Sequence, residues 1–171
     1  MDQFHGRLFA AGGFLQKQQA GERLAANFTA MSGGRLTIKV YSAGELVPAL
    51  ECLGAVANGT AQMGHDAAYY HTGKSEGCAF FTAFPFGFTM GEMAAWIKHG
   101  NGQKLWDELY APFGIRGFQA GSTGTQMFGW FRREIRSLAD LDGLKFRTPG
   151  NQGRVLQKLG VTPVSLPGGE I

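Results

Sequence analysis

The sequence lacks the features that mark several classes of protein. No apolar run approaches the about 18 residues that a membrane-spanning helix needs. Proline is scarce, at 6 of 171 residues, which argues against a linker-like chain. Residues 1–5 show no cationic stretch leading into an apolar segment, so no signal peptide is expected there. A membrane anchor, an extended linker and an obvious export leader are therefore not predicted.

Charge of one sign is not concentrated anywhere. The chain has 16 Lys and Arg against 13 Asp and Glu, a formal net charge of +3. Nucleic-acid binding requires a dense stripe of basic side chains. The densest groups here, Arg132-Arg133 and Lys145 with Arg147, are too sparse. The charges predict an ordinary mixed surface and no nucleic-acid partner.

Cysteine and nucleotide-binding motifs are equally sparse. Cys52 and Cys78 form neither a C-x-x-C motif nor a zinc-ribbon spacing. They are expected to be buried thiols, with a disulfide as the alternative in an oxidising compartment. No G-x-G-x-x-G or P-loop sequence is present, so nothing predicts a cradle for a nucleotide phosphate.

Glycine, by contrast, is abundant, at 27 of 171 residues. With 44% hydrophobic residues the chain is expected to be globular, and the glycines are expected at turns and close backbone approaches. Helical and extended patterns alternate, which predicts an α/β fold with a largely parallel sheet. The predicted helices are 15–31, 48–58, 90–99, 103–113 and 151–159, and the predicted extended segments are 35–41, 60–64, 115–120, 126–131, 145–147 and 161–166.

Two local patterns suggest catalysis or metal binding only weakly. A nucleophile elbow needs Gly two residues before its serine, but Ala120 precedes Ser122 at that distance. A strand-end turn is favoured, and a hydrolase using Ser122 with His65 or His99 stays the alternative. The spacing of His65, Asp66 and His71 matches no zinc site, which favours a structural or surface role, with a pocket wall as second choice.

A polar and aromatic set lies in glycine-rich surroundings at predicted strand ends. Its members are Tyr69, Tyr70, Gln126, Trp130 and Arg147. Ligands of open α/β sheets bind beyond the carboxyl ends of strands, and an arginine there offers a fork that matches a carboxylate. From these residues alone, Arg147 has two interpretations, a surface ion pair and a carboxylate site.

Longer sequence phrases resemble one known family. They are Met31-Ser32-Gly33-Gly34-Arg35-Leu36, Tyr41-Ser42-Ala43-Gly44-Glu45-Leu46-Val47-Pro48, Gly59-Thr60-Ala61-Gln62-Met63-Gly64-His65, Tyr69-Tyr70-His71-Thr72-Gly73-Lys74, Pro85-Phe86-Gly87, Gly124-Thr125-Gln126-Met127-Phe128-Gly129-Trp130, Asp140-Leu141-Asp142-Gly143-Leu144-Lys145-Phe146-Arg147 and Leu159-Gly160-Val161-Thr162-Pro163-Val164. Their order resembles the substrate-binding protein of a tripartite ATP-independent periplasmic (TRAP) transporter. The resemblance runs from about residue 15 to the end and is strongest to the branch that binds 2-oxo acids and similar monocarboxylates.

The resemblance implies a clam-shell periplasmic binding protein of the class II type, with a parallel or mixed sheet flanked by helices. Such a protein is not an enzyme. It captures a small organic acid in the periplasm and delivers it to TRAP membrane permease subunits. The resemblance also allows a homodimer of the full-length protein. An interaction module without a small ligand is the third hypothesis, beside the binding protein and the hydrolase.

The resemblance further implies the residues of the site. It assigns the carboxylate-binding arginine to Arg147 and the pocket glutamine to Gln126. The stretch His65-Asp66-Ala67 and Tyr70 are implied to line the pocket. In this branch a sodium or calcium ion commonly bridges protein and ligand, with the glutamine as one ligand, and an amide oxygen suits such a hard cation. No organic cofactor is implied.

The sequence departs from the family pattern at its ends. A signal peptide is not visible, and the first strand of the family is expected to be missing, or replaced by residues 1–13. The family chain is also about twice as long. We therefore expect residues 1–121 to form a first lobe without its first strand. Residues 122–171 are expected to form the crossover and a truncated second lobe of a fragment.

Overall fold

The computed structural model describes residues 4–10, 15–124 and 127–166. The strands among them are β1 (Phe4–Ala10), β2 (Leu36–Tyr41), β3 (Met63–His65), β4 (Lys145–Arg147) and β5 (Thr162–Val164). The helices are α1 (Leu15–Met31), α2 (Cys52–Ala57), α3 (Met90–His99), α4 (Gly102–Tyr110) and α5 (Asn151–Gln157). Short 3₁₀ segments occupy 49–51, 68–71, 76–81, 111–113 and 138–141.

These elements form two compact units. The first is built on residues up to Ala67 and includes Phe113–Ile115, and the second comprises Ala68–Pro112 and Arg116–Leu166. This grouping differs from the division into 1–121 and 122–171. That division concerns the lobes of a longer protein and stays a prediction.

The first unit contains a three-stranded parallel sheet in the order β2-β1-β3. β1 pairs with β2 from Phe4 opposite Leu36 to Phe9 opposite Tyr41. It also pairs with β3, where Leu8 lies opposite Met63. Of the two expectations for this region, a missing first strand is wrong and a replacement by residues 1–13 agrees with the structure, because β1 is the central strand of this sheet.

The reason for that error is physical. A half-buried strand shows alternating apolar and polar residues, whereas a central parallel strand need not alternate. The segment Phe4–Ala10 mixes glycine, histidine and arginine with apolar residues and shows no clear period. Its stability comes from hydrogen bonds to both neighbouring strands, which lie about 30 and 55 residues away in sequence.

Helix α1 confirms the predicted helix but corrects its buried face. The predicted stripe was Leu24, Phe28 and Met31, yet Leu24 and Met31 are exposed. Ala25 is buried instead. Glycine ends the helix as expected, because Gly34 has a φ of +80° and its N–H donates to the carbonyl of Thr29 at 2.9 Å.

The second unit holds a two-stranded parallel sheet of β4 and β5. Leu141, Leu156 and Val161 form its buried core, with Phe146 packed against it. The predicted turn before β4 is present. There the Asp140 carboxylate accepts hydrogen bonds from the Ser137 hydroxyl at 2.9 Å and from the Ser137 backbone N–H at 2.8 Å. These bonds, with one from the Arg136 N–H, lower the pKa of Asp140.

Aromatic rings organise the other half of this unit. Phe81 stacks on Trp96 at 5.5 Å and on Trp106 at 5.0 Å between ring centroids, which joins the 76–81 segment to α3 and α4. Helix α3 begins at a capping box in which Thr89 and Glu92 bond reciprocally. The segments predicted to be extended at 115–120 and 127–131 form no strand in the described parts of the chain. Cys52 and Cys78 are buried thiols, as expected.

Candidate carboxylate-binding site

Arg147 is the last residue of β4, as the sequence predicts. Alternation along the strand sends Phe146 and Arg147 to opposite faces. The Phe146 ring stacks on Phe131 at 5.3 Å and on Phe128 at 5.6 Å between ring centroids. These contacts hold the strand on the face that carries Phe146. Arg147 is half-buried on the other side. The strand therefore presents a guanidinium from a fixed backbone.

The guanidinium is anchored by two oxygens. Its Nε and Nη2 donate to the carbonyl of Leu166 at 3.0 and 2.9 Å. Nη2 also donates to the Tyr70 hydroxyl oxygen at 2.9 Å. No hydrogen bond joins Nη1 to a residue in the described parts of the chain. One edge of the fork is thus used for anchoring, and among the described residues the Nη1 donors meet no acceptor.

Tyr70 reaches Arg147 from a 3₁₀ segment, Ala68–His71, that lies 77 residues earlier in the sequence. Ala68 and His71 are buried and hold the segment in place. The Tyr69 and Tyr70 rings meet edge to face at 4.7 Å. Because the Tyr70 oxygen accepts a hydrogen bond from Arg147, its own hydrogen remains available to donate. A carboxylate oxygen could therefore accept from Tyr70 and from Nη1 of Arg147 together.

A second contact joins the segments that follow these two along the chain. Arg154 of α5 donates to the Glu76 carboxylate at 2.6 Å. The hydrogen bond and the charge of Arg154 lower the pKa of Glu76, and the carboxylate in turn raises the pKa of Arg154. Both side chains are largely exposed, so solvent screens this pair. It connects the 76–81 segment to the helix that follows β4.

The remaining predicted site residues fall elsewhere. His65 ends β3 in the first unit and is followed by Asp66 and Ala67, all three half-buried. Their role as pocket lining stays a prediction. Gln126 lies outside the described residues, so its roles in ligand and metal binding also stay predictions. Trp130 is described and is almost completely exposed, at 96%.

The described residues hold no cluster of the commonest metal-binding side chains. Within 4–10, 15–124 and 127–166, no group of three His, Cys, Asp or Glu side chains could hold a metal ion. Sodium and calcium also bind amide and backbone carbonyl oxygens, which such groups do not include. The sodium or calcium ion therefore stays a prediction for this chain.

The hydrolase alternative finds no support in the surroundings of Ser122. Its hydroxyl oxygen accepts a hydrogen bond from the Gly124 N–H at 3.1 Å, within its own exposed turn. The turn that the sequence favours is present, but no strand precedes it, because residues 115–120 form none. The second unit also holds an apolar cleft of about 250 Å³, lined by Gly77, Phe80, Phe81, Trp96, Leu105 and Leu109. Its lining carries no charged side chain and does not suit a carboxylate.

Sequence reasoning missed two elements of the site. The Leu166 carbonyl is a backbone group, and no side-chain pattern could reveal it. Gly150 packs against Tyr69, since a Cβ built on Gly150 would lie 3.0 Å from the Tyr69 Cβ. A glycine three residues after a strand-end arginine, directly following proline, is the signal that could have pointed to this contact.

Comparison with known proteins decides the family. The model described as "Bacterial extracellular solute-binding protein, family 7" (DctP) matches residues 9–171. The chain belongs to this family. The resemblance found in the sequence is therefore confirmed, and the family is one of extracellular solute-binding proteins. The hydrolase alternative has no support from this family either.

Three proteins whose descriptions state what they bind are similar to this DctP-family chain. It is 47% identical over 150 residues to the monocarboxylate 2-oxoacid-binding periplasmic protein all3028 of Nostoc sp. (strain PCC 7120), covering 88% of this chain and 41% of the relative. A TRAP periplasmic solute-binding protein from Pseudoalteromonas atlantica T6c, with bound sodium and pyruvate, is 42% identical with a TM-score of 0.94, over 99% of this chain and 52% of that one. One from Colwellia psychrerythraea, with bound calcium and pyruvate, is 41% identical with a TM-score of 0.93, over 99% and 52%.

These comparisons confirm the predicted fold class. Solved TRAP periplasmic solute-binding proteins superpose on nearly the whole chain, and all strand pairs described above are parallel. The chain spans about half the length of the relatives it matches. None of the helices formed by the described residues is both long and apolar enough to cross a membrane.

Proposed function

We propose that this chain supplies part of the organic-acid site of a TRAP periplasmic solute-binding protein. The observation that carries the proposal is the Arg147–Tyr70 pair. A carboxylate oxygen accepts from Nη1 of Arg147 and from the Tyr70 hydroxyl. Supporting this, the two similar solved proteins named above hold pyruvate, a 2-oxo monocarboxylate.

The physical basis is charge-assisted hydrogen bonding. A bond between an ionised donor and a carboxylate contributes about 1.5–3 kcal/mol. The Leu166 carbonyl holds the guanidinium before the ligand arrives, so little side-chain freedom is lost on binding. Capture requires no covalent chemistry, and we propose a binding protein rather than an enzyme. Its setting is the periplasm, and its partners are a small organic acid and the membrane permease subunits of the transporter.

Replacement of Arg147 tests the site. Lysine keeps the charge but cannot both hold the Leu166 carbonyl and present a fork, so Arg147→Lys should weaken pyruvate binding about tenfold or more. Binding is followed by NMR titration of the chain with millimolar pyruvate, in sodium and in calcium buffers. Pyruvamide, which lacks the carboxylate, is the ligand control.

Arg154→Lys is the matched control variant. It changes an arginine of the same unit that pairs with Glu76 and does not end β4. Its pyruvate titration should match that of the natural sequence. Equal pyruvate shifts in the Arg147→Lys variant and the natural chain, or equal shifts with pyruvamide, would sink the assignment.

A further inference from the structure

We propose that Gly150 is a positioning residue for the Arg147–Tyr70 pair. The absence of a side chain at this position lets the turn after β4 lie directly against Tyr69. Through the tyrosine pair, this contact sets where the Tyr70 hydroxyl meets the guanidinium. The inference deepens the proposed function and rests on the same carboxylate site.

The backbone of Gly150 admits only glycine without strain. Its φ is +68° and its ψ is −153°. Residues with a Cβ essentially do not occupy this region of backbone space. A Cβ built there would also lie 3.0 Å from the Tyr69 Cβ and 3.6 Å from its Cγ. Both the conformation and the neighbour therefore exclude a side chain.

The contact closes a loop of interactions around the site. Gly150 lies three residues after Arg147, and Tyr69 directly precedes Tyr70. The two tyrosine rings meet at 4.7 Å with an angle of 74°, and the Tyr70 oxygen lies 2.9 Å from Nη2 of Arg147. Displacing Tyr69 from Gly150 must therefore move Tyr70 relative to Arg147.

Neighbouring bonds prevent the loop from relaxing freely. The Thr72 hydroxyl donates to the Tyr69 carbonyl at 3.2 Å, which fixes the tyrosine segment on one side. The Arg154–Glu76 pair, which is exposed and screened by solvent, adds only a weak link between helix α5 and the 76–81 segment. The nearest atom to a Cβ at position 150 is the Tyr69 Cβ, so the displacement is carried to the tyrosine pair.

The test is a measurement on the 171-residue chain without ligand. NMR reports the exchange rate of the Arg147 guanidinium protons, which are assigned by their loss in Arg147→Lys. Tyr70→Phe removes the hydroxyl and should speed this exchange about tenfold, because the charged guanidinium loses one of its hydrogen-bond acceptors. Gly150→Ala should speed it to the same extent.

Gly143→Ala is the matched control. Gly143 has a φ of +69°, close to that of Gly150, but a Cβ built there meets no atom of the described residues within 4 Å. This variant carries left-handed strain without a tyrosine contact, so the Arg147 exchange should stay unchanged. An equal acceleration in Gly143→Ala would overturn the proposal, because strain alone would then explain the effect.

A double variant separates positioning from general loosening. If Gly150 acts through the Tyr70 hydroxyl, Gly150→Ala should add nothing in a Tyr70→Phe background. If the double variant speeds the Arg147 exchange by the product of the two single effects, the proposal is contradicted. A folded Gly150→Ala chain with an unchanged exchange rate would also contradict it. If circular dichroism shows that Gly150→Ala does not fold, Tyr69→Ala decides. It keeps the Cβ against Gly150 but removes the ring beside Tyr70, and unchanged exchange there overturns the proposal.

Pyruvate titration keeps the two proposals distinguishable. The exchange measurement needs no ligand and reports the Gly150 effect alone. Accelerated exchange in Gly150→Ala and Tyr70→Phe, together with no response of Arg147 to pyruvate, would support the positioning role and overturn the carboxylate function. In a binding-competent chain, Gly150→Ala should weaken pyruvate binding about as much as Tyr70→Phe.

Discussion

In both units a helix packs closely against a short parallel strand or the end of one, and a glycine makes the close approach possible. The glycine lies on the strand in the first unit and on the helix in the second. In the first unit Gly64 is on strand β3, where a Cβ would lie 2.6 Å from the Cys52 Sγ of α2. In the second unit Gly153 is on helix α5, where a Cβ would lie 2.9 Å from the Thr148 carbonyl and 3.3 Å from the Pro163 Cβ.

The position of the glycine decides which element keeps its side chains. The first unit uses a strand position, so Cys52 of the helix fills the space and is 1% exposed. In the second unit the glycine is on the helix, so the strand residue that it approaches, Pro163 of β5, keeps its side chain at the contact.

The largest loss of stability is expected for a substitution of Gly64, the glycine on strand β3. Gly64→Ala would force a Cβ against the Cys52 Sγ and the Val56 Cγ2, and overpacking of this kind costs about 1–3 kcal/mol. The free energy of unfolding, measured by urea denaturation and circular dichroism, should fall accordingly. Alkylation of Cys52 by iodoacetamide should accelerate, because its thiol reports opening of the first unit.

Two variants check that assignment. In a Cys52→Ala background, Gly64→Ala should cost less, since the closest clashing atom is gone. Gly73→Ala is the matched control, because a Cβ built there meets nothing within 4 Å in the described parts of the chain. If Gly64→Ala destabilises the chain equally with and without Cys52, the close contact between β3 and α2 does not explain the loss of stability.

A smaller effect is expected for Gly153→Ala. The new Cβ meets a backbone carbonyl that cannot rotate away, but alanine in a helix recovers about 1 kcal/mol relative to glycine. We expect a net loss of about 1 kcal/mol in the free energy of unfolding. All three tryptophans, Trp96, Trp106 and Trp130, belong to the second unit, so tryptophan fluorescence follows this transition.

The control for Gly153→Ala is Gly91→Ala in α3, where a Cβ meets none of the residues that the structure describes within 4 Å. That variant should gain stability from helix propensity alone. Equal gains at both positions would mean that the close approach of α5 to the sheet carries no energetic constraint.

The smallest effect is expected for the ion pair that joins α5 to the 76–81 segment. The pKa of Glu76 lies below its ordinary value, so the folded state favours the ionised carboxylate. Its contribution is present above the ordinary glutamate pKa and is lost as the pH falls through the lowered value. Glu76→Gln should therefore lower the Tm slightly near neutral pH and not at acidic pH.

The matched control is Glu108→Gln, which removes an exposed carboxylate 4.0 Å from Lys104 on α4. Thermal unfolding of both variants is compared from about pH 7 to about pH 3, at low and high salt, because salt screens exposed pairs. A Glu76→Gln difference that grows as the pH falls would contradict the assigned direction of the pKa.

Much of the fold could be predicted because it depends on local energies. Alternation predicts β2, and the Ser32-Gly33-Gly34 stop and the Ser137–Asp140 turn follow from short-range hydrogen bonding. The resemblance to TRAP substrate-binding proteins implied Arg147 and Tyr70 as site residues. It did not imply that they bond to each other, because 77 residues separate them.

The parallel α/β class, the bounds of most helices and the family could be predicted from the amino-acid sequence. Those properties arise from periodicity, caps and shared motifs, which neighbouring residues carry. Three features are visible only in the folded chain: β1 is a central strand, Ala25 rather than Leu24 is buried, and Leu166 and Tyr70 anchor Arg147. All three features depend on contacts between segments that are distant in sequence, and such contacts stabilise the chain only after it has folded.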